Sequence, residues 1–307
     1  MSISVRQVSK LYGTQKALDS VSFEIGKGEV VGFLGPNGAG KSTMMKVLTC
    51  YIPQTSGDAT VCGFDVREAG MDVRRRVGYL PEHNPLYLDM YVHEYLRFVG
   101  RLYHMGGAAL GKRVQEIIDM TGLGREQHKK IGMLSKGYRQ RVGLSQALIH
   151  NPDILILDEP TTGLDPNQIV EIRSLIREIG KSKTVIFSTH ILPEVEAIAN
   201  RVIIIHRGHI VADESMEGLR QRRDAENVWR VSFDKPGFQT APVTAVGGEV
   251  VAKQVGGNGR DWEFISGQGT DIRKALLEQS LAQGNPISNL HKKEDNLEEV
   301  FRSLTKA

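Results

Sequence analysis

Cysteine is nearly absent from the chain, with two in 307 residues. Cys50 and Cys62 make neither a disulfide framework nor a metal-ligand spacing, which suits a reducing compartment. Long apolar runs are missing as well. Those near Ile154 and Val202 are strand-sized, far below the ~18 residues of a membrane span, so any membrane role must pass through a partner. The opening MSISVRQVSK has no apolar core and no cleavage site, so it does not read as a secretory signal. An excess of one charge is lacking too. The 39 basic and 36 acidic residues nearly cancel, so charge implies no polyanion partner. Short basic runs such as Arg74-Arg75-Arg76 read as solvated helix faces. There are no internal repeats and no long low-complexity segments. The length accommodates one large domain and a small one.

What is present centres on LGPNGAGKST, Leu34 to Thr43. Gly35, Gly40, Lys41 and Ser42 fit the phosphate-loop spacing, with Pro36, Asn37, Gly38 and Ala39 between them. The apolar run Val30 to Leu34 precedes it and a helix-like segment, Met44 to Cys50, follows. Gly35, Gly38 and Gly40 let the backbone curl so that N–H groups point at a β-phosphate, and the next helix adds its positive end. Lys41 is the cation for the β- and γ-phosphates, Ser42 offers a hydroxyl to Mg²⁺, and Thr43 suits the α-phosphate. A strand before and a helix after distinguish this from a glycine-rich turn.

Before the loop, Ile3 to Val8 and Val21 to Ile25 alternate as strands, with Leu11-Tyr12-Gly13 between them. Tyr12 suits either stacking on a purine or packing at a strand end. After it, Asp58 to Gly63 reads as a strand, Val66 to Arg76 as a helix and Val77 to Leu80 as a buried strand. Five of the eight tyrosines then crowd into Tyr79 to Tyr103. Tyr91, Tyr95 and Phe98 share a helical face, so core packing and a docking surface both suit this stretch. Helical patterns continue over Arg113 to Met120 and Gly137 to Ile149.

Ile154 to Leu157 is apolar without alternation, as a central parallel strand is. It ends in Asp158-Glu159, where open α/β sheets place their chemistry. Asp158 suits the Mg²⁺ acid opposite Ser42, and Glu159 the orientation or deprotonation of an attacking water. The competing role is an N-cap pair for the next helix. After that helix, which runs to about Ile179, comes the strand Thr184 to Phe187. His190, just beyond it, suits a γ-phosphate donor or a cap for Leu192 to Ala199. From about Arg220 the texture shifts to a polar linker. Strands then read at Val228 to Phe233, Glu249 to Gln254, Trp262 to Ile265 and Ile287 to His291. Helices read at Ile272 to Gln283 and Asn296 to Leu304.

Taken together these residues resemble the ATP-binding subunit of an ABC transporter, from about Ile3 to Glu217. The likeness implies an α/β P-loop NTPase cassette over residues 1–219, with a helical subdomain at about 84–150. A linker at 220–226 and a small α+β accessory domain at 227–307 complete the expected organisation. It implies ATP and Mg²⁺ as cofactors, and Tyr12 as the adenine-stacking aromatic. Glu82 sits where the family usually has Gln, and joins Ser42 and Asp158 toward the metal. Glu159 and His190 become the catalytic pair. Leu134 to Arg141, LSKGYRQR, resembles the signature sequence but has Lys136 for Gly and Tyr138 for Gln. Ser135 and Gly137 remain, and with Asp165 they imply contacts across a dimer of cassettes, an identical second subunit being the expected partner.

The resemblance further implies an integral membrane permease as partner, no nucleic acid, and a cytoplasmic location on the inner face of the membrane. The signature spelling, YLPEHNPLY and the ending Leu297 to Phe301 look most like subunits driving export permeases. Among these the nearest resemblance is to the gliding-motility-associated ATP-binding subunit of Bacteroidetes-type bacteria. A soluble ATPase of the same class acting on ribosomes or DNA is the alternative. One compact cassette without coiled-coil or zinc insertions speaks against it.

Overall fold

In the computed structural model the described residues are 1–219, 226–240, 243, 250–267 and 271–293. The chain divides into two compact units, Met1–Met216 and Glu217–Ala307, rather than after residue 219. Of the expected linker, 220–225 lie outside the described residues and Glu226 already opens a strand. The expected helix at 296–304 also lies outside them.

In the first unit, β1 (Ile3–Tyr12), β2 (Gln15–Ile25), β4 (Ser56–Val61) and β5 (Phe64–Asp65) form an antiparallel sheet ordered β2-β1-β4-β5. The strands expected at Ile3 to Val8 and Val21 to Ile25 are thus longer, joined as a hairpin pairing Tyr12 with Gln15. Register shifts between Val5 and Leu11, with Gln7 and Ser20 at φ 51° and 53°, are bulges. They break the alternation that would have announced the full strands.

The second sheet runs β10-β9-β3-β8-β7-β6. Its members are β3 (Val30–Leu34), β6 (Val77–Leu80), β7 (Ile154–Asp158), β8 (Thr184–Thr189), β9 (Arg201–His206) and β10 (His209–Ser215). All neighbours are parallel except β10 with β9. Every residue of β3, β7 and β8 is buried, which explains their unbroken apolar character. The core joins both sheets to α1 (Lys41–Leu48), with Ile3, Leu18, Phe33, Met44, Leu48, Ile156 and Ile203 inside. Helix α2 (Gly70–Arg76) begins four residues later than the pattern from Val66 suggested.

Between β6 and β7 lie α3 (Val92–Leu102), α4 (Gly107–Met120) and α5 (Lys136–Leu148), packed on one another, with α5 also against β6. The tyrosines divide here. Tyr95 is buried, donating to Gln146 Oε1 at 2.5 Å, while Tyr87 and Tyr91 are exposed. Helices α6 (Pro166–Gly180) and α7 (Leu192–Ile198) complete the unit. Among the described residues no helix is long and apolar enough to cross a membrane.

The second unit is an antiparallel sheet ordered β12-β13-β11-β14, from β11 (Glu226–Phe233), β12 (Val251–Val255), β13 (Asp261–Gly267) and β14 (Ile287–Lys293). Helix α8 (Arg273–Ala282) connects β13 to β14. This order is that of the split β-α-β sandwiches. Its core is aromatic: Phe233 stacks on Phe238 at 3.9 Å, beside Phe264.

His150 links the helical layer to the parallel sheet. Its ring stacks on Tyr103 with centroids 3.9 Å apart and planes 2° from parallel, and Nε2 meets the Val77 carbonyl at 3.2 Å. Burial pulls its pKa down to about 4, against the opposing pull of the Val77 bond. A histidine depressed below its unfolded value of about 6.5 contributes stability above that value and loses it as pH falls toward the folded one. Wild-type protein should therefore lose on the order of 1–2 kcal/mol more than His150→Phe between about pH 7 and about pH 5. Urea unfolding at both pH values measures this, and equal losses would mean that the ring titrates freely.

Candidate functional site

The site gathers at the carboxyl ends of β3, β7 and β8. Residues 35–40 leave β3 and turn into α1, whose N-cap is Gly40 at φ 111°. A Cβ there would stand 2.5 Å from the Ala17 carbonyl of β2, and one on Gly35 2.3 Å from the Ile205 carbonyl of β9. Gly35 is therefore required by the close approach of β9 rather than by a left-handed curl; Gly38 and Gly40 carry the curl. The first turn of α1 leaves its N–H groups without helical partners, a cradle suited to phosphate.

Lys41 is almost fully buried. Its ammonium donates to the carbonyls of Gly35 at 2.8 Å and Pro36 at 3.2 Å, and pairs with Glu159 Oε1 at 3.2 Å. The other Glu159 oxygen meets His190 Nδ1 at 3.0 Å and accepts from the Thr162 hydroxyl at 3.3 Å. Glu159 has φ 48°, a conformation that costs an ordinary residue about 1–2 kcal/mol. Its own N–H donates to Ser188 Oγ at 2.9 Å, which holds it there. Helix α6 is capped by Asp165 and the N-cap of α7 is Ile191, which caps without its side chain. Neither the acidic pair nor His190 is a helix cap.

Asp158 accepts from Ser42 Oγ at 3.0 Å and Ser188 Oγ at 2.6 Å, both on Oδ1. Burial pushes its pKa up, the two hydroxyls oppose this, and the Glu82 and Glu159 charges add to the rise. Glu82, exposed, lines with Ser42 and Asp158 a cavity of about 660 Å³. Tyr79, Tyr87, Tyr95 and Tyr103 line it as well. One hydroxyl and two carboxylates are hard oxygen donors, and Mg²⁺ takes few protein ligands. The donor set fits that ion and would hold it between Ser42, Asp158 and Glu82.

Tyr12 stands at the end of β1, half exposed, with the Lys10 ammonium 5.3 Å from its ring centre. Ser135, Gly137 and Asp165 form a second cluster, where α5 and α6 begin. Ser135 caps α5 through the Tyr138 N–H at 3.4 Å, and Asp165 caps α6 through the Gln168 N–H at 3.0 Å. A Cβ on Gly137 would meet Gln168 at 2.4 Å, so the two helix starts are in contact. Gln140 donates to the Pro160 carbonyl at 2.8 Å, tying α5 to the loop after the acidic pair. Sequence reading missed Ser188, because nothing local marks a strand serine as the bridge between two neighbouring acids.

Comparison with known proteins decides the class. The ABC transporter family model matches residues 18–162. A model described as an AAA domain, putative AbiEii toxin, Type IV TA system, matches residues 130–195. The linearmycin resistance ATP-binding protein LnrL of Bacillus subtilis (strain 168) is 30% identical over 99% of this chain and 98% of its own. The chain belongs to the ABC transporter ATP-binding family. The bacitracin transport ATP-binding protein BcrA of Bacillus licheniformis is 35% identical over 72% of each chain. A solved dimeric ATP-binding cassette, in a post-hydrolysis state bound to ADP and Pi, is 27% identical with a TM-score of 0.65. It covers 70% of this chain and 98% of its own.

In this cassette the crowding of Asp158, Glu82 and Glu159 should cost stability when no cation is bound. Asp158→Asn keeps Oδ1 as acceptor for Ser42 and Ser188 but removes the buried charge. At neutral pH it should stabilise the nucleotide-free protein by roughly 1 kcal/mol. Thermal unfolding checks this, and a lower midpoint would show the carboxylate to be net favourable.

Proposed function

We propose that the chain is the ATP-hydrolysing subunit of an export-type ABC transporter, working with Mg²⁺ as one of two identical cassettes beneath a membrane permease. The observation that carries the chemistry is the chain of contacts from buried Lys41 through buried Glu159 to the exposed His190 ring. Before nucleotide arrives, Lys41 is satisfied by two loop carbonyls and by Glu159. Phosphate oxygens at the loop compete for that ammonium, which frees Glu159 Oε1 to accept a proton from water. His190 stays on the other oxygen and faces the position of the γ-phosphate. Bound Mg²⁺ would supply charge neutralisation between the β- and γ-phosphates. Tyr12, half exposed, offers its ring to adenine. Ser135, Gly137 and Asp165, grouped away from the phosphate loop, serve a nucleotide held by the second cassette.

Export rather than import is favoured by the names of two relatives, which act in linearmycin resistance and bacitracin transport. LnrL matches the second unit as well as the first. The cavity lined by Glu82, Asp158 and four tyrosines suits a permease segment whose movement follows the metal site, and in this reading the cassette works on the cytoplasmic face of the membrane. The narrower gliding-motility reading rests on the spelling of the signature, of YLPEHNPLY and of the ending Leu297 to Phe301. A soluble ATPase acting on ribosomes or DNA finds no support among the relatives described above.

Glu159→Gln should bind ATP at least as tightly as wild type and lose at least ~10²-fold in turnover, the scale of a general base. Nucleotide binding and single-turnover hydrolysis measure both, and near-normal turnover removes Glu159 from the role. For Glu82, Mg²⁺ titration of ATP binding in wild type and Glu82→Gln should give displaced curves, the carboxylate needing less metal. Superimposable curves would turn Glu82 outward, toward the permease.

A further inference from the structure

Beneath the Glu159–His190 contact lies another carboxylate that the reaction as described does not use. Glu194, on α7, is 1% exposed. Its Oε1 accepts from the Thr161 hydroxyl, and its Oε2 from the Thr189 hydroxyl at 2.6 Å. The Arg173 guanidinium stands 3.7 Å from Oε1. Thr161 is two residues beyond Glu159, and Thr189 immediately precedes His190. Thr189 Oγ1 also accepts from the Ile191 N–H at 3.1 Å, closing the turn just after His190. One buried side chain therefore holds both of the segments that carry the site's acid and imidazole.

The sheet cannot do this alone. The last paired rung of β7 and β8 is Asp158 with Ser188. Beyond it β7 and β8 no longer pair. Thr189 still pairs with Leu34 of β3 and its carbonyl accepts from the Gly35 N–H at 3.2 Å. No sheet rung joins Glu159 to His190, and only side-chain links set one against the other. Burying a carboxylate is unfavourable unless donors hold it. Two hydroxyls and a nearby guanidinium do so here, and that requirement works in reverse: both hydroxyls, hence both loops, must come to Glu194. A misplacement of about 1 Å between reacting groups costs on the order of 10²-fold in rate.

We propose that Glu194 is a positioning residue for ATP hydrolysis, a tether that keeps the Glu159 carboxylate and the His190 imidazole in register. The inference rests on the reading that Glu159 acts on the attacking water. Glu194 hydrogen-bonds to no residue of the phosphate loop, and Thr189 meets Gly35 only through its backbone carbonyl, so the tether should separate turnover from nucleotide binding.

The test is made on the full chain, with ATP affinity from a fluorescent analogue, kcat and KM from steady-state hydrolysis, and thermal midpoints for each variant. Thr161→Val and Thr189→Val exchange a hydroxyl for a methyl at nearly constant shape, and each should lower kcat about 10-fold. Glu194→Leu should lower it about 10²-fold, and Glu194→Gln, which keeps one acceptor oxygen, should recover part of that loss. ATP affinity should stay within about two-fold of wild type throughout. Folded valine variants with wild-type kcat overturn the tether, and they decide the matter even if Glu194→Leu does not fold. Turnover and ATP affinity falling together would reduce Glu194 to a merely structural role and overturn it equally. Glu159→Gln in the same assay keeps the two readings apart. A dead Glu159→Gln with normal tether variants removes the tether alone, whereas an active Glu159→Gln removes the group being positioned.

Discussion

The nucleotide site depends on a buried ion pair. Lys41 and Glu159 are 5% and 8% exposed at their side chains and 3.2 Å apart. Taking two such charges out of water costs several kcal/mol each, and their attraction repays it only when remaining donors and acceptors are satisfied. Here they are. Two carbonyls of the phosphate loop take the other ammonium protons, and His190 and Thr162 occupy the second carboxylate oxygen. The pair thereby holds the loop in its curled form and draws Glu159 into a left-handed conformation. Phosphate oxygens are the natural substitute for Glu159 at the ammonium, so in the proposed reaction nucleotide binding and release of the Glu159 carboxylate become one exchange.

The polar groups meet where they do because the strands beneath offer nothing polar to solvent. β3, β7 and β8 are buried along their whole length, and in a parallel sheet their carboxyl ends open on the same edge. Acids and hydroxyls placed just past those ends converge without any one element specifying the site. The same convergence crowds Asp158, Glu159 and Glu82: burial pushes the Asp158 proton affinity up, and the two neighbouring charges add to the rise. Such a cluster is poor packing for an empty protein and good packing around a divalent cation. Stability is given up where function requires charge.

Local chemistry made much of this legible from sequence. The phosphate loop was visible because an apolar run, a glycine spacing and a helix start are contiguous. The central strand was visible from four consecutive aliphatic residues, and the second unit from its strand patterns and its glycine-rich turn. Less legible were the features that interrupt a period. Bulges at Gln7 and Ser20 hid most of the β1–β2 hairpin, and the shared face of Tyr91, Tyr95 and Phe98 left open which tyrosine is core. Packing on α5 decided that only Tyr95 is buried, its hydroxyl held by Gln146.

By itself, then, the amino-acid sequence determined most of the elements and the nucleotide-binding class. Each of those rests on neighbours within about ten positions. Only the tertiary structure decided that Lys41 faces Glu159 rather than solvent, that Ser188 bridges Asp158 and the Glu159 amide, and that Glu194 reaches both Thr161 and Thr189. It also decided that Gly35 is a glycine because β9 passes against it. These contacts join positions far apart in the chain, and no periodicity or propensity encodes the distance between two loops that leave different strands of one sheet.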